Sequence, residues 1–497
     1  MLKNINLVLA YCSMMIIVAA NVACRKSKYV FAGQFYTVLG SIFTSVACTA
    51  LFAFAVIIRP RPIWNPQYVI PMVGMLLGNS LNGISITMNS LCIALVEQKR
   101  EIELYLSFGA TGHEAVSRLL KEAVRSGTMP ILNSMAIIGI VSIPGMMTGQ
   151  ILGGSPVMQA ARYQMLIMYL IAISTFGAIL MEIWAILNIG LDSSHMLHSE
   201  RFQKAPDTLP FLELAKNSLF AVTGIFGRQY GNRTKREMEP LQNSSMNEAY
   251  YTPAAMELKV EPLVEKMTSE EYEASPADGL LMDKLTKSVV ANDDIDTKPT
   301  NIQRLFDDLS FKVRSSEIFL VRGPSGCGKS ELLRAIARLS PMDSGSISLD
   351  GIDSQAYDCA SDWRKRVRYV TQYKVDVPGT PREFIRRVTS FKSWTHDNWP
   401  SEELMIESTI KFVEEWGLQP NCLEKDWSTL SGGEAQRVII ALSLASNPSV
   451  LLLDESTSAL DIDTKLAVEH TIDGLAKQNN LKVIWVSHDT GISQRFV

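Results

Sequence analysis

The sequence predicts two joined architectures: an N-terminal all-α polytopic membrane domain of about five spans, and a C-terminal α/β domain built on a phosphate-binding loop. Three observations predict this. Residues 1–190 hold most of the long apolar runs, whereas residues 230–300 hold almost none. From Gly323 to Ser330 the chain reads G-P-S-G-C-G-K-S. Further on come L-S-G-G-E, from Leu430 to Glu434, and V-L-L-L-D-E, from Val450 to Glu455.

At 497 residues the chain has room for two or three domains, each with a full core. A net charge of −4 gives no sign of a nucleic-acid partner. The seven cysteines are scattered, with no C-x-x-C and no Cys/His cluster. That pattern argues against a disulfide framework or a structural zinc site. Cys327 lies inside the phosphate loop, which places that domain in a reducing compartment.

A helical span needs about 20 mostly apolar residues. Five stretches qualify: 4–23, 35–58, 67–96, 129–152 and 164–189. The third contains Gly74, Gly78, Asn79, Asn82 and Gly83, which predicts a bend or break. Pro144-Gly145 predicts another distortion in the fourth. Gly74, Gly78, Ser80, Gly139 and Gly145 suit close helix packing in lipid.

An ATPase domain must face the nucleotide pool, so the end of the last span, near Asn188, is expected in the cytosol. Counting back puts 97–128 and 24–34 in the cytosol and the N-terminus outside. Arg25, Lys26 and Lys28 agree with an excess of basic residues on the inner side, while Arg59 and Arg61 count against it. The first span has a second reading. Lys3, the apolar run and the small residues around Ala19–Ala23 also fit a cleaved signal peptide, without a clean A-x-A site.

Residues 97–127 are charged yet amphipathic. Glu97, Lys99, Arg100, Glu101 and Glu103 lead into Leu104, Leu106 and Phe108, and Gly109 interrupts the helix. Thr111-Gly-His-Glu114 is a capping-box pattern that restarts it. An ordinary surface helix pair would look similar. The position between two spans, in a chain carrying an ATPase, favours a cytoplasmic docking loop. Glu182 is the one clear acid inside an apolar run: a functional group, or a residue at the membrane edge or paired to a neighbouring helix. The methionines (Met72, Met75, Met88, Met146, Met147, Met165, Met168, Met181) read as packing residues rather than soft-metal ligands.

Residues 191–300 read as a largely disordered linker, with an interfacial helix at 208–228. The sequons at Asn232 and Asn243 are taken as chance, since a cytosolic linker never meets the glycosylation machinery.

In the last domain, 301–497, the apolar run 318–322 ends at the Gly-rich loop and a helix pattern follows, the context a phosphate loop requires. Gly323, Pro324, Ser325, Gly326, Cys327, Gly328, Lys329 and Ser330 then form the cradle. Its backbone N–H groups surround the β-phosphate, Lys329 reaches the β- and γ-oxygens, and the Ser330 hydroxyl ligates Mg²⁺. Val450 to Leu453 is a second buried strand, with Asp454 at its end for the Mg²⁺ shell and Glu455 next to polarise the attacking water. His488 follows a further strand, Val483 to Val486, in reach of a γ-phosphate or of Glu455.

This ordered set resembles the nucleotide-binding domains of ABC transporters, so the fold class sharpens to an α/β P-loop NTPase of ABC type. The resemblance makes Gln372 in Y-V-T-Q the Q-loop, a catalytic and Mg²⁺-contacting residue. Ser458-Ala-Leu-Asp461 is similar to the D-loop and Ser487-His488-Asp489 to the switch-histidine segment. It also implies that Ser431, Gly432 and Gly433 of one domain cover the ATP held by another, so that nucleotide joins a homodimer or a pair of half-transporters. Two departures stand out. No aromatic residue lies between Tyr272 and Phe306, where the family stacks one on adenine, and the chain stops at Val497, nine residues after His488.

The membrane half resembles the FetB-type permeases through L-G-N-S-L-N (77–82), S-F-G-A-T (107–111), S-I-P-G-M-M-T-G (142–149) and A-A-R-Y-Q (160–164). That family includes iron-export permeases and plant aluminium-tolerance half-transporters, one or two spans longer at the N-terminus. The ATPase half is similar to the FetA-type partner. The resemblance implies an ATP-driven transporter of a small substrate, a metal such as iron, in the bilayer. A membrane-anchored, ATP-dependent regulator that transports nothing is the alternative.

Overall fold

The computed structural model describes residues 5–59, 65–138, 144–192, 194–205, 259–262, 278–290, 302–395 and 399–487. They form two compact units. The first draws on Met1–Lys99, Val116–Asp192 and His198–Ser244, the second on Arg100–Ala115, Ser193–Leu197 and Ser245–Val497.

The helices of the first half are α1 (Ile5–Arg25), α2 (Gln34–Phe52), α3 (Pro66–Glu97), α4 (Lys99–Ser107), α5 (Gly112–Ile137), α6 (Gly145–Leu152) and α7 (Val157–Gly190). Strands β1 (Tyr29–Phe31) and β2 (Phe202–Lys204) pair antiparallel. Among the described residues, four helical stretches are long and apolar enough to cross a membrane: Ile5–Arg25, Gln34–Ile58, Tyr68–Glu97 and Val157–Gly190. The stretch 129–152, read above as one span, is shared between the end of α5 and α6, with residues 139–143 outside the described set.

The break expected in the third span is absent. α3 runs on through Gly74, Gly78 and Gly83, and even through Pro71. Asn79 donates to the Met75 carbonyl and Ser85 to that of Leu81, so polar side chains on this helix bond back to its own backbone. Close packing follows the expectation at Gly74, where a Cβ would sit 3.3 Å from Met15 Cε, and at the fully buried Ser80, but not at Gly78 or Gly145, with nothing within 4 Å among the described residues. The tightest approaches lie at Gly127, whose Cβ would sit 1.8 Å from Thr87 Oγ1, and at Gly83, 2.6 Å from Thr175 Cγ2. There α3 meets α5 and α7.

Hydroxyls tie α2, α3 and α7 together. Ser45 donates to the Ser174 carbonyl at 2.6 Å, and the Ser80 and Ser174 hydroxyls lie 3.2 Å apart. Glu182 is fully buried, its two oxygens accepting from Thr37 at 3.2 Å and Ser41 at 3.0 Å. Of the two readings above, the structure gives the carboxyl an interior position paired to α2.

The second unit carries β3 (Lys259–Pro262), β4 (Leu280–Val290), β5 (Ile302–Val313), β6 (Ile318–Arg322), β7 (Ser344–Leu349), β8 (Ile352–Asp353), β9 (Val367–Val370), β10 (Val450–Asp454) and β11 (Lys482–Val486). Its helices are α8 (Lys329–Ile336), α9 (Ala360–Arg366), α10 (Pro381–Thr389), α11 (Glu402–Glu415), α12 (Gly432–Ala445) and α13 (Ile462–Asn479). One sheet has the order β3-β6-β11-β10-β9, parallel except for β3; the other, β5-β4-β7-β8, is antiparallel. β9, β10 and β11 are buried at every residue, as strands covered on both faces are.

The linker boundary at 300 is corrected. β4 pairs with both β5 and β7, and β3 adds to the edge of β6, so the sheets recruit residues from 259 on. Asp283-Lys284 breaks the apolar alternation of β4, and the register shifts there, with Lys284 at φ 50°. A bulge of this kind hides a strand from periodicity. The interfacial helix at 208–228 and both sequons lie outside the described residues.

Candidate active site

Ligands of open parallel sheets bind at the carboxyl ends of the strands. β6 delivers the phosphate loop there and β10 delivers Asp454 and Glu455. The loop closes on Gly328, the left-handed cap of α8. Lys329 is buried, and its ammonium donates to the carbonyls of Gly323 and Pro324 at 2.8 and 2.9 Å.

Asp454 is the buried hub. Its Oδ2 accepts from the Tyr369 phenol at 2.8 Å, and the Ser330 hydroxyl bonds the same carboxyl group. Burial pushes the carboxyl above its usual range, against the pull of the Ser330 and Tyr369 bonds. Its Oδ1 is buried and has no hydrogen-bond partner among the described residues. An unpaired buried carboxylate oxygen beside a serine hydroxyl suits a hard divalent cation, so these residues fit Mg²⁺.

Glu455 carries φ 46°, a left-handed backbone rare for a side chain of this kind. Its backbone N–H donates to the Val486 carbonyl at 3.1 Å, so β11 holds the turn in place. Gln372 donates through Nε2 to Glu455 Oε2 at 2.6 Å. The sequence separates these two residues widely; the parallel pairing of β9 with β10 joins them.

Ser431 caps α12 in a reciprocal box: its hydroxyl accepts from the Glu434 N–H, and its own N–H donates to the Glu434 carboxylate at 2.8 Å. That backbone bond holds the Glu434 carboxyl below its usual range. Gly432 and Gly433 open the helix, where N–H groups lack intrahelical acceptors. Asp461 caps α13 through both oxygens, to the Thr464 N–H and hydroxyl at 2.9 Å each. Among the described residues, no hydrogen bond joins Ser431–Gly433 to the phosphate loop of the same chain. The residues expected from the sequence to bind nucleotide therefore form two clusters, one around Asp454 and one around α12. His488 lies outside the described residues.

Three groups escaped the sequence reading. Tyr369 stands three residues before Gln372, in the short strand V-R-Y-V, where nothing in the spacing points to Asp454. The other two engage the segment 100–115. Arg334, on the helix after the phosphate loop, makes a two-pronged ion pair with Glu103 at 2.7 Å per arm. Arg368, one residue before Tyr369, is fully buried, donates to the Ser107 carbonyl and stacks 4.1 Å over Phe108. The Phe108 carbonyl accepts from Trp394 at 2.8 Å and that of Gly109 from Ser393 at 2.7 Å. Gly109 has φ 85°, and a Cβ there would meet the Ser361 carbonyl oxygen at 3.2 Å. Thr111 and Glu114 exchange the two bonds of a capping box.

Residues 1–189 match UPF0014, an uncharacterised protein family, and residues 306–458 match the ABC transporter family. The UPF0014 membrane protein slr1647 of Synechocystis sp. is 39% identical over 158 residues, 32% of this chain and 60% of that protein. The probable iron export ATP-binding protein FetA of Escherichia coli is 34% identical over 192 residues, 37% of this chain and 79% of FetA. Among solved structures, a dimeric bacterial ABC transporter cassette aligns with a TM-score of 0.38 at 25% identity, covering 44% of this chain and 90% of that one. On the 34% identity that spans 79% of FetA, the chain belongs to the ABC transporter family, with an ABC-type ATPase domain that follows residues matching the UPF0014 model.

Proposed function

We propose that two copies of this chain form an ATP-driven transporter that exports a small substrate, a metal such as iron, from the cytosol. The observation that carries this reading is the bonding of Arg100–Ala115 into the ATPase unit. That segment links α3 to α5. It bonds to Arg334 on the helix of the phosphate loop and to Arg368 on the strand of Tyr369. A rearrangement around phosphate therefore has a physical route to the membrane helices. The iron export named for the Escherichia coli relative supports the cargo class.

The residues then have assigned work. Lys329 exchanges its loop carbonyls for phosphate oxygens, and the loop N–H groups orient the phosphates. Asp454 and Ser330 hold Mg²⁺, which neutralises charge on the phosphates when bound. Glu455 accepts a hydrogen bond from the attacking water and takes its proton, with Gln372 fixing the carboxylate. Ser431 and the first N–H groups of α12 cap the nucleotide held by the second copy, and Asp461 sets the start of α13 at that seam. Hydrolysis then releases the pair.

Proteoliposomes containing the full chain test this. Glu455→Gln should slow phosphate release ~100-fold or more, the scale of a lost general base, while leaving a nucleotide-trapped dimer on size exclusion. Unchanged release would remove Glu455 from the mechanism. ATP-dependent iron movement in wild-type vesicles supports export, whereas ATPase activity raised only by a partner protein supports the regulator.

A further inference from the structure

The helical unit contains a pocket of about 570 Å³, lined by Lys26 after α1, by one face of α3 and by Ser126 and Pro130 of α5. From α3 come Asn82, Ser85, Ile86, Asn89 and Ser90, the last four standing three, four, seven and eight residues after Asn82 and so on one side of the helix. The volume lies in the range of small-molecule sites, roughly 300–1,000 Å³, and far exceeds the roughly 30 Å³ of a water-sized occupant.

Hydrogen bonding within this lining has a direction. The Asn82 side-chain carbonyl accepts from the Lys26 ammonium at 3.4 Å, and that of Asn89 accepts from the Lys28 backbone N–H at 2.9 Å. An amide whose oxygen is engaged is left with two N–H donors. The lining thus combines the apolar Ile86 and Pro130 with an ammonium, two side-chain amides and the hydroxyls of Ser85, Ser90 and Ser126, and holds no carboxylate among the described residues. A bare cation there meets a positive charge and no anionic ligand. Elsewhere too, among the described residues, no group of three or more His, Cys, Asp or Glu is placed to hold a metal ion.

We infer that this pocket binds a small, acceptor-rich anion bearing carboxylate or phosphate groups, and, resting on the export reading above, that the metal leaves as its complex with such an anion. The anion is a free solute or the headgroup of an acidic lipid; both present the same oxygens to Lys26 and the two amides.

The test uses the full chain in phosphatidylcholine nanodiscs, titrated calorimetrically with citrate, inorganic phosphate or ferrous iron alone. Saturable citrate or phosphate binding is expected, weakened about tenfold or more by Lys26→Gln and by Asn89→Asp. The second variant keeps the side-chain shape and exchanges donors for acceptors. Each variant is first shown to melt cooperatively. In nanodiscs containing phosphatidylglycerol, native mass spectrometry counts retained lipid. Retention lost in both variants, with no citrate or phosphate binding, supports the inference with the headgroup as source. Wild-type binding of every anion and of lipid by both variants overturns it, as does saturable binding of ferrous iron alone that the variants abolish. Iron movement in proteoliposomes is scored separately. Movement with unaltered anion binding in the variants sinks the pocket and leaves export standing; anion binding lost as expected without any iron movement sinks export and leaves the pocket.

Discussion

Tyr369 illustrates how one buried phenol conditions the chemistry beside it. It supplies a donor to Asp454 Oδ2 and, with the Ser330 hydroxyl, offsets part of the carboxylate's burial. Partners of metal-binding carboxylates that lie one bond further out change metal affinity by roughly 10–100-fold. Tyr369→Phe is therefore expected to raise the Mg²⁺ concentration for half-maximal ATPase activity at least tenfold, with nucleotide binding in the absence of Mg²⁺ retained. An unchanged Mg²⁺ dependence would reduce the phenol to packing. Cys359 offers a second test at this scale. A hydrogen bond with His195 is the main cause that brings its thiol down to about 7, against the upward push of burial. A depressed thiol pKa means that thiolate is present above that value and is lost as pH falls through it. Alkylation of Cys359 by iodoacetamide, followed by peptide mass spectrometry, should rise with a midpoint near pH 7. His195→Ala should move the midpoint upward and slow the reaction at neutral pH.

At the scale of elements, the helices of the first unit meet through missing side chains. A Cβ at Gly127 would overlap Thr87 Oγ1 and lie 3.0 Å from the Gly83 carbonyl oxygen, so backbone and not merely a flexible tip resists the change. Gly127→Ala is expected to cost about 1–3 kcal/mol, as overpacking does, and to lower the melting temperature of the full chain in detergent. Gly78→Ala, with nothing within 4 Å, should leave it nearly unchanged. Equal effects of the two would refute the packing account. The sequence displayed many small residues in these helices but not which of them face a neighbour, because facing depends on the rotation of each helix about its axis.

For the whole molecule, the question is how phosphate chemistry reaches the membrane helices. Glu103 and Arg334 are mostly buried, with side chains 13% and 18% exposed, so their pairing is poorly screened. A double-mutant cycle on the two should yield a coupling energy of roughly 1.5–3 kcal/mol, typical of hydrogen bonds to charged groups. If the pair transmits force, Glu103→Ala should retain ATPase activity while ATP-dependent transport falls about tenfold. The exchanged pair, Glu103→Arg with Arg334→Glu, should recover part of it. Parallel loss of both activities in Glu103→Ala would make the contact structural only.

The sequence by itself determined the two architectures, the phosphate loop, the acidic pair Asp454-Glu455 and the capping box Thr111–Glu114. Each is written in neighbouring residues: an apolar run of membrane length, a glycine-rich turn after a strand, a serine or threonine three residues before a glutamate. Tertiary structure alone decided the rest. It closed Gln372 onto Glu455, placed Tyr369 under Asp454, drew Glu103 to Arg334 and recruited the bulged strand β4 from what composition presents as linker. These pairings join residues far apart in the chain. Their geometry follows from strand order, register and helix rotation, which local spacing does not encode.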